Sequence, residues 1–301
     1  MSTGKTTESA AGQTPRQRFL TSMSRAQRPT GPFLALLIAA LAMVLGQIAG
    51  VPALLVGGNA DVLGVLPQFL MTVGFIGTLL LLIAWVVWKE RRPVRSLGFE
   101  SSHAGRRILL GICVAVAMLL VVVLVSTASG SATLGGFDAV ALPAVLLLLV
   151  GFAVQASTEE ILTRGYLLQA WTARFGVVVA MIVQTVFFTA MHALNGGMTF
   201  APILNLALVA VFLGLWAIWE GGLWGVCAFH TVWNWMQGNV IGAEVSNIRV
   251  EASLFGYTPA PGSSDLITGG GFGLEGSLVL SGMLIIGIAV LAVALRRARR
   301  A

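Results

Sequence analysis

The chain has 301 residues, of which 57% are hydrophobic and only 10% charged, with a formal net charge of +6 and a mean hydropathy of +0.90. Soluble domains carry about 25% charged residues, so this balance excludes a soluble globular protein and reads as an integral membrane protein. The positive excess reports membrane topology and not nucleic-acid binding.

A polar arm rich in Ser, Thr, Gln and Gly opens the chain. Residues 1–31 are expected to form a disordered, basic cytoplasmic arm. Apolar windows long enough for a hydrocarbon core of about 30 Å then predict helices near 33–56, 65–88, 108–128, 139–158, 176–193, 200–219, 222–241 and 276–295. The fold class is therefore all-α, a polytopic membrane bundle of about eight transmembrane helices occupying residues 32–296, with a basic tail at 297–301. The first apolar run follows a leader of about 32 residues, long for a signal-peptide n-region, so it is expected to remain as an anchor.

Charge orients these spans. Lys5, Arg16, Arg18, Arg25 and Arg28 precede the first. Lys89, Arg91, Arg92, Arg95, Arg106 and Arg107 join the second to the third, and Arg296, Arg297, Arg299 and Arg300 close the chain. The loops at 57–64 and 129–138 hold no Lys or Arg, and the 242–275 loop holds only Arg249. By the positive-inside rule both termini face the cytoplasm, in the manner of a bacterial inner-membrane protein. Cys113 and Cys227 lack metal-thiolate spacing and read as small buried hydrophobes. The glycine-rich 269–276 stretch, without a following Lys-Ser/Thr, reads as a flexible linker.

Ionisable residues inside apolar spans cost about 2.5–3.5 kcal/mol each on insertion scales and mark function or a buried pair. Three groups stand out. In Glu159-Glu160-Ile161-Leu162-Thr163-Arg164, the i,i+4 spacing lets Arg164 neutralise Glu160, while Glu159 points about 100° away and stays free for proton transfer. Phe188 and His192 end the fifth span one helical turn apart. His230 and Asn234 share a face of the seventh, where the amide can orient the imidazole or donate to a substrate oxygen. An interfacial charge cluster, an interfacial histidine and a polar interhelical clasp are the respective structural alternatives.

The order Glu-Glu-x-x-x-Arg, Phe-x-x-x-His, His-x-x-x-Asn over residues 139–240 resembles the CPBP intramembrane protease family, which includes CAAX prenyl endopeptidases and bacteriocin-processing enzymes. A weaker similarity lies in Arg95-Ser96-Leu97-Gly98-Phe99. The resemblance implies peptide-bond hydrolysis in a membrane-associated or lipidated substrate, with Glu159 and His192 holding the attacking water. It further implies that His230 and Asn234 stabilise the oxyanion, and that Glu160, Arg164 and Phe188 support them. Glu159, His192 and His230 are an acceptable zinc set, and the sequence leaves metal-dependent and metal-free mechanisms both open. Outside the resemblance, a proton- or solute-coupled transporter and a non-catalytic scaffold or immunity protein remain alternatives.

One geometric condition follows. Glu159 and His192 can meet only if the fourth helix continues past Arg164, since ending it at Glu160 leaves them about 25 Å apart. A long helix over about 143–173 is predicted, and a seventh helix that tilts or starts deep in the bundle.

Overall fold

The computed structural model describes residues 13–54, 62–100 and 103–300; the first twelve residues of the expected disordered arm lie outside them. The rest of that arm corrects the expectation. Helix α1 (Pro15–Leu20) is closed by a capping box in which Gln17 N donates to Thr14 Oγ1 and Thr14 N donates to Gln17 Oε1. A 3-10 turn follows at Ser22–Arg25. Phe19 and Met23 bury their side chains in the main core, and that burial offsets the ordering entropy which composition alone leaves uncompensated.

Helix α2 spans Pro32–Leu54. It packs along α3 (Val65–Leu70) and α4 (Thr72–Ala84), which continues as a π-helical turn at Trp85–Glu90. Close approach here rests on small residues. Gly46 and Gly50 of α2 face Gly77 and Gly74 of α4, and a Cβ at Gly46 would collide with the backbone of Thr78. Such small-xxx-small seams let helices pack without help from water.

Helix α5 (Ala104–Ala128) leads to a short strand, β1 (Ala132–Leu134). Next comes α6 (Leu142–Glu160), which passes without interruption through a π segment at Ile161–Leu167 into α7 (Leu168–His192). The chain breaks helical geometry only at Gly176, where φ is 80°. The predicted long fourth helix is thus present from Leu142 to Phe175, and the fifth pass begins after the glycine. Glycine suits the break because left-handed φ costs it nothing.

Helix α8 (Phe200–Glu220) turns within three residues into α9 (Trp224–Trp235), which extends as a π segment over Met236–Ile241. An ordered loop follows. In it β2 (Tyr257–Pro259) pairs antiparallel with β1, α10 covers Asp265–Thr268, and a 3-10 stretch spans Gly270–Gly276 before α11 (Leu278–Arg300). One expectation changes here: the glycine-rich stretch is a packed cap, with Phe272 and Leu274 buried. Helix α11 runs on into the basic tail as far as Arg300.

Six helices among the described residues are long and apolar enough to cross a membrane, one of them the 54-residue Ala139–His192. The expected count of eight requires dividing that one at Gly176 and including the shorter 224–241 helix. Leu124, Val178, Val186 and Ile286 stand 63–70% exposed on the outside of the bundle, an apolar surface that suits lipid and not water. Cys113 joins that exposed surface, contrary to the buried reading, whereas Cys227 is buried. The protein is an all-α integral membrane bundle.

Candidate active site

Convergence of the three motifs depends on where each helix starts. Gly165 abuts the Leu97 carbonyl and the Leu223 side chain, and Leu223 N donates to Gly98 O at 2.9 Å. The α8–α9 turn therefore lies level with Gly165 and not with the end of the long helix at Phe175, about 15 Å further on. Starting there, α9 raises His230 by about 9 Å, and Glu160 lies about 7.5 Å above Gly165. This is the deep start that the sequence requires of the seventh helix.

Glu159 is 4% exposed, and Glu160 and Arg164 are fully buried. Arg164 Nη1 donates to Glu160 Oε1 at 2.9 Å and to Thr163 Oγ1 at 2.9 Å, while Nη2 reaches the Ala210 carbonyl at 3.3 Å. The guanidinium lies 4.4 Å from the Phe188 ring centroid, a cation–π contact strengthened by the absence of water. Phe188 also faces His192, with centroids 4.6 Å apart, so it separates the ion pair from the imidazole.

Each imidazole is held through Nδ1. His192 Nδ1 donates to the Phe188 carbonyl at 2.9 Å, and His230 Nδ1 donates to Glu160 Oε1 at 2.9 Å. Both partners are acceptors, so the hydrogens reside on Nδ1 and each Nε2 is directed elsewhere. That direction is Glu159: its Oε2 lies 3.9 Å from His192 Nε2 and 4.0 Å from His230 Nε2. Glu159 Oε2 and Asn234 Oδ1 accept no hydrogen bond from any of the described residues.

Glu159, His192, His230 and Asn234 all line one cavity of ≈ 640 Å³. Its other walls are largely apolar, including Val44, Ile48, Phe75 and Leu148. The size and character suit a ligand or peptide segment that is mostly apolar, with a few polar groups to orient it.

The candidate zinc set has suitable ligand types and free Nε2 lone pairs, but its spacing does not fit. Ligands at about 2.0–2.1 Å around a tetrahedral ion stand about 3.3–3.4 Å apart, against the 3.9 and 4.0 Å seen here. Among the described residues no group of three or more His, Cys, Asp or Glu side chains is arranged to hold a metal ion. Two hydrogen bonds of about 2.8 Å meeting at about 90° span the observed distances, so the gap fits a bridging water.

Sequence reasoning missed several partners. Gln155 Nε2 reaches Glu159 Oε1 at 3.5 Å, and Thr163 Oγ1 donates to the Glu159 carbonyl at 2.6 Å. Gln184 shares the Ala210 carbonyl with Arg164. Gln155 and Gln184 were visible as polar residues four positions before Glu159 and Phe188 in apolar runs. Glu275, which lines the cavity and accepts from both Ser246 N and Oγ, had no such signal, because it lies in a loop.

No curated protein and no solved structure matches this chain. Residues 141–236 match the family model described as "Type II CAAX prenyl endopeptidase Rce1-like", a span that holds every motif residue from Glu159 to Asn234. The chain thus carries an Rce1-like segment, similar to the CAAX prenyl endopeptidases, inside a bundle of membrane-spanning helices.

Proposed function

We propose that the protein is an intramembrane endopeptidase in which Glu159 activates water against a peptide bond of a membrane-associated or lipidated substrate. The observation that carries this reading is the shared gap of 3.9 and 4.0 Å between Glu159 Oε2 and the two Nε2 atoms, inside a cavity large enough for peptide. That spacing accommodates a bridging water among the three groups.

In this mechanism a water in the gap loses a proton to Glu159 as its oxygen attacks the scissile carbonyl carbon. The carbonyl oxygen takes up the negative charge, and the Asn234 amide donates to it. His230 can donate from Nε2 only when doubly protonated, and Glu160, already at its Nδ1, is the matching counter-charge. Collapse of the intermediate breaks the C–N bond, and Glu159 returns its proton to the departing amine. The products are a carboxylic acid, which keeps the second hydrogen of the water until it ionises to solvent, and an amine, with one water consumed. His192, fixed by the Phe188 carbonyl, orients the attacking water throughout.

The test is cleavage of a membrane-tethered peptide reporter by purified protein in liposomes. Wild type should cut it and Glu159→Gln should not; equal cleavage by both would end the proposal.

A further inference from the structure

The structure has two chemically distinct ends. Apart from Arg164 and Arg249, every described Lys and Arg lies at the end formed by residues 15–28, the 85–107 linker, Arg174 and the last turns of α11. The acids at that end are matched: Glu90 pairs with Arg92, Glu100 with Arg25, and Glu220 with Arg107. Contacts such as Arg28 N to Glu90 O and Gln169 Nε2 to Ser96 O tie these segments together. At the opposite end, the 129–141 and 242–277 loops carry Asp138, Glu244, Glu251, Asp265 and Glu275 against the single Arg249.

The cavity belongs to the acidic end. Loop residues Leu63, Asn195, Ser246, Ile248, Val250 and Glu275 line it, and no residue of the basic end does. Below the Glu159 carboxylate, the way to the basic end is filled by the fully buried side chains of Arg164, Leu162, Tyr166 and Leu167. The loops at the mouth are tied to the site helices: Asn247 Nδ2 donates to Asn195 O, three residues past His192, and Asn205 Nδ2 donates to Glu275 O.

Basic ends stay in the cytoplasm because moving Lys and Arg across the membrane is disfavoured. We infer that the cavity opens to the extracytoplasmic side, so that its substrate is a peptide tethered by a lipid or apolar segment and presented from that face. This rests on the peptidase reading for the cleavage but not for the sidedness. The apolar wall along α2 receives the tether, and the acidic rim admits neutral or cationic chain in preference to anionic.

Two measurements separate the claims. Single-cysteine variants Ile248→Cys at the mouth, Leu266→Cys in the outer loop and Arg95→Cys at the basic end, built on Cys113→Ser/Cys227→Ala, are treated in intact cells with a membrane-impermeant maleimide. Ile248→Cys and Leu266→Cys should label without permeabilisation, and Arg95→Cys only after it; the reverse pattern overturns the inference. Single-span reporters carrying the same apolar anchor and a cleavable tail on one or the other side are then compared, with Glu159→Gln as blank. Cleavage of the extracytoplasmic tail at about ten times the blank supports the inference, and cleavage of the cytoplasmic tail alone overturns it. Failure to cut either tail, with labelling as expected, supports the sidedness and counts against the peptidase reading instead.

Discussion

His230 donates from Nδ1 to Glu160 Oε1 at 2.9 Å, and the same carboxylate oxygen accepts from Arg164 at 2.9 Å. Glu160 thus neutralises Arg164 and, in the same act, turns the His230 Nε2 toward Glu159. The two adjacent glutamates divide their work by the 100° between successive helical positions: one is consumed in structure, the other is left facing the cavity.

Removing one partner of the buried pair should be costly. Arg164→Ala takes the guanidinium from the buried Glu160 and leaves it only the His230 Nδ1 donor, which is expected to destabilise the fold by about 3–5 kcal/mol. Replacing both, as Glu160→Gln with Arg164→Leu, should recover most of that loss in thermal unfolding in detergent. Activity should stay low in the double variant, because His230 no longer has an anionic partner. A double variant as unstable as Arg164→Ala would contradict this account.

Glu159 carries the proton transfer, so Glu159→Gln should lower reporter cleavage by about 10²–10⁴-fold with little change in melting temperature. Gln155 Nε2 remains to reach the amide oxygen of the isosteric side chain, and the Thr163 bond to the backbone carbonyl of residue 159 is untouched. Cleavage and stability falling together would instead make the residue structural.

The spacing of the site predicts no resident zinc. Elemental analysis of purified protein should find less than about a tenth of an equivalent bound, and cleavage should survive a strong chelator. Stoichiometric zinc that disappears in His192→Ala would show that the groups close in by about 0.6 Å to bind it.

Helix α2 walls the cavity and depends on Gly46 for its contact with α4. Gly46→Leu forces the side chain against the Thr78 backbone and should cost about 1–3 kcal/mol by overpacking. Gly46→Ala should be milder, since one methyl needs the smaller displacement. Melting temperatures of the two variants in detergent check the order.

Outside the spans, burial raises the Glu244 carboxyl above its ordinary value, against a smaller downward pull from Arg249. A carboxyl raised on folding favours the folded state below its unfolded value, and that contribution is lost as pH rises through the folded one. Glu244→Gln should therefore leave acid stability unchanged and raise the melting temperature at neutral pH. A gain that grows on acidification would have the wrong sign.

Much of this protein follows from the order of its residues alone. Apart from the fourth, whose apolar window at 139–158 stops well short of Phe175, apolar run lengths gave the helices to within a few residues, because a bilayer demands about twenty consecutive apolar positions. The i,i+4 geometry of one helix dictated the Glu160–Arg164 pair, and the distance between motifs demanded the long 142–175 helix. What tertiary packing decided is everything between helices: the level at which α9 begins, the capture of His230 by Glu160, and the arrival of Glu275 at the cavity mouth. It also ordered segments that composition left loose, burying Phe19 in the arm and Phe272 in the glycine-rich cap. Periodicity describes a helix against an unspecified apolar surrounding; only the packed bundle says which neighbour fills it, and the site is made of such neighbours.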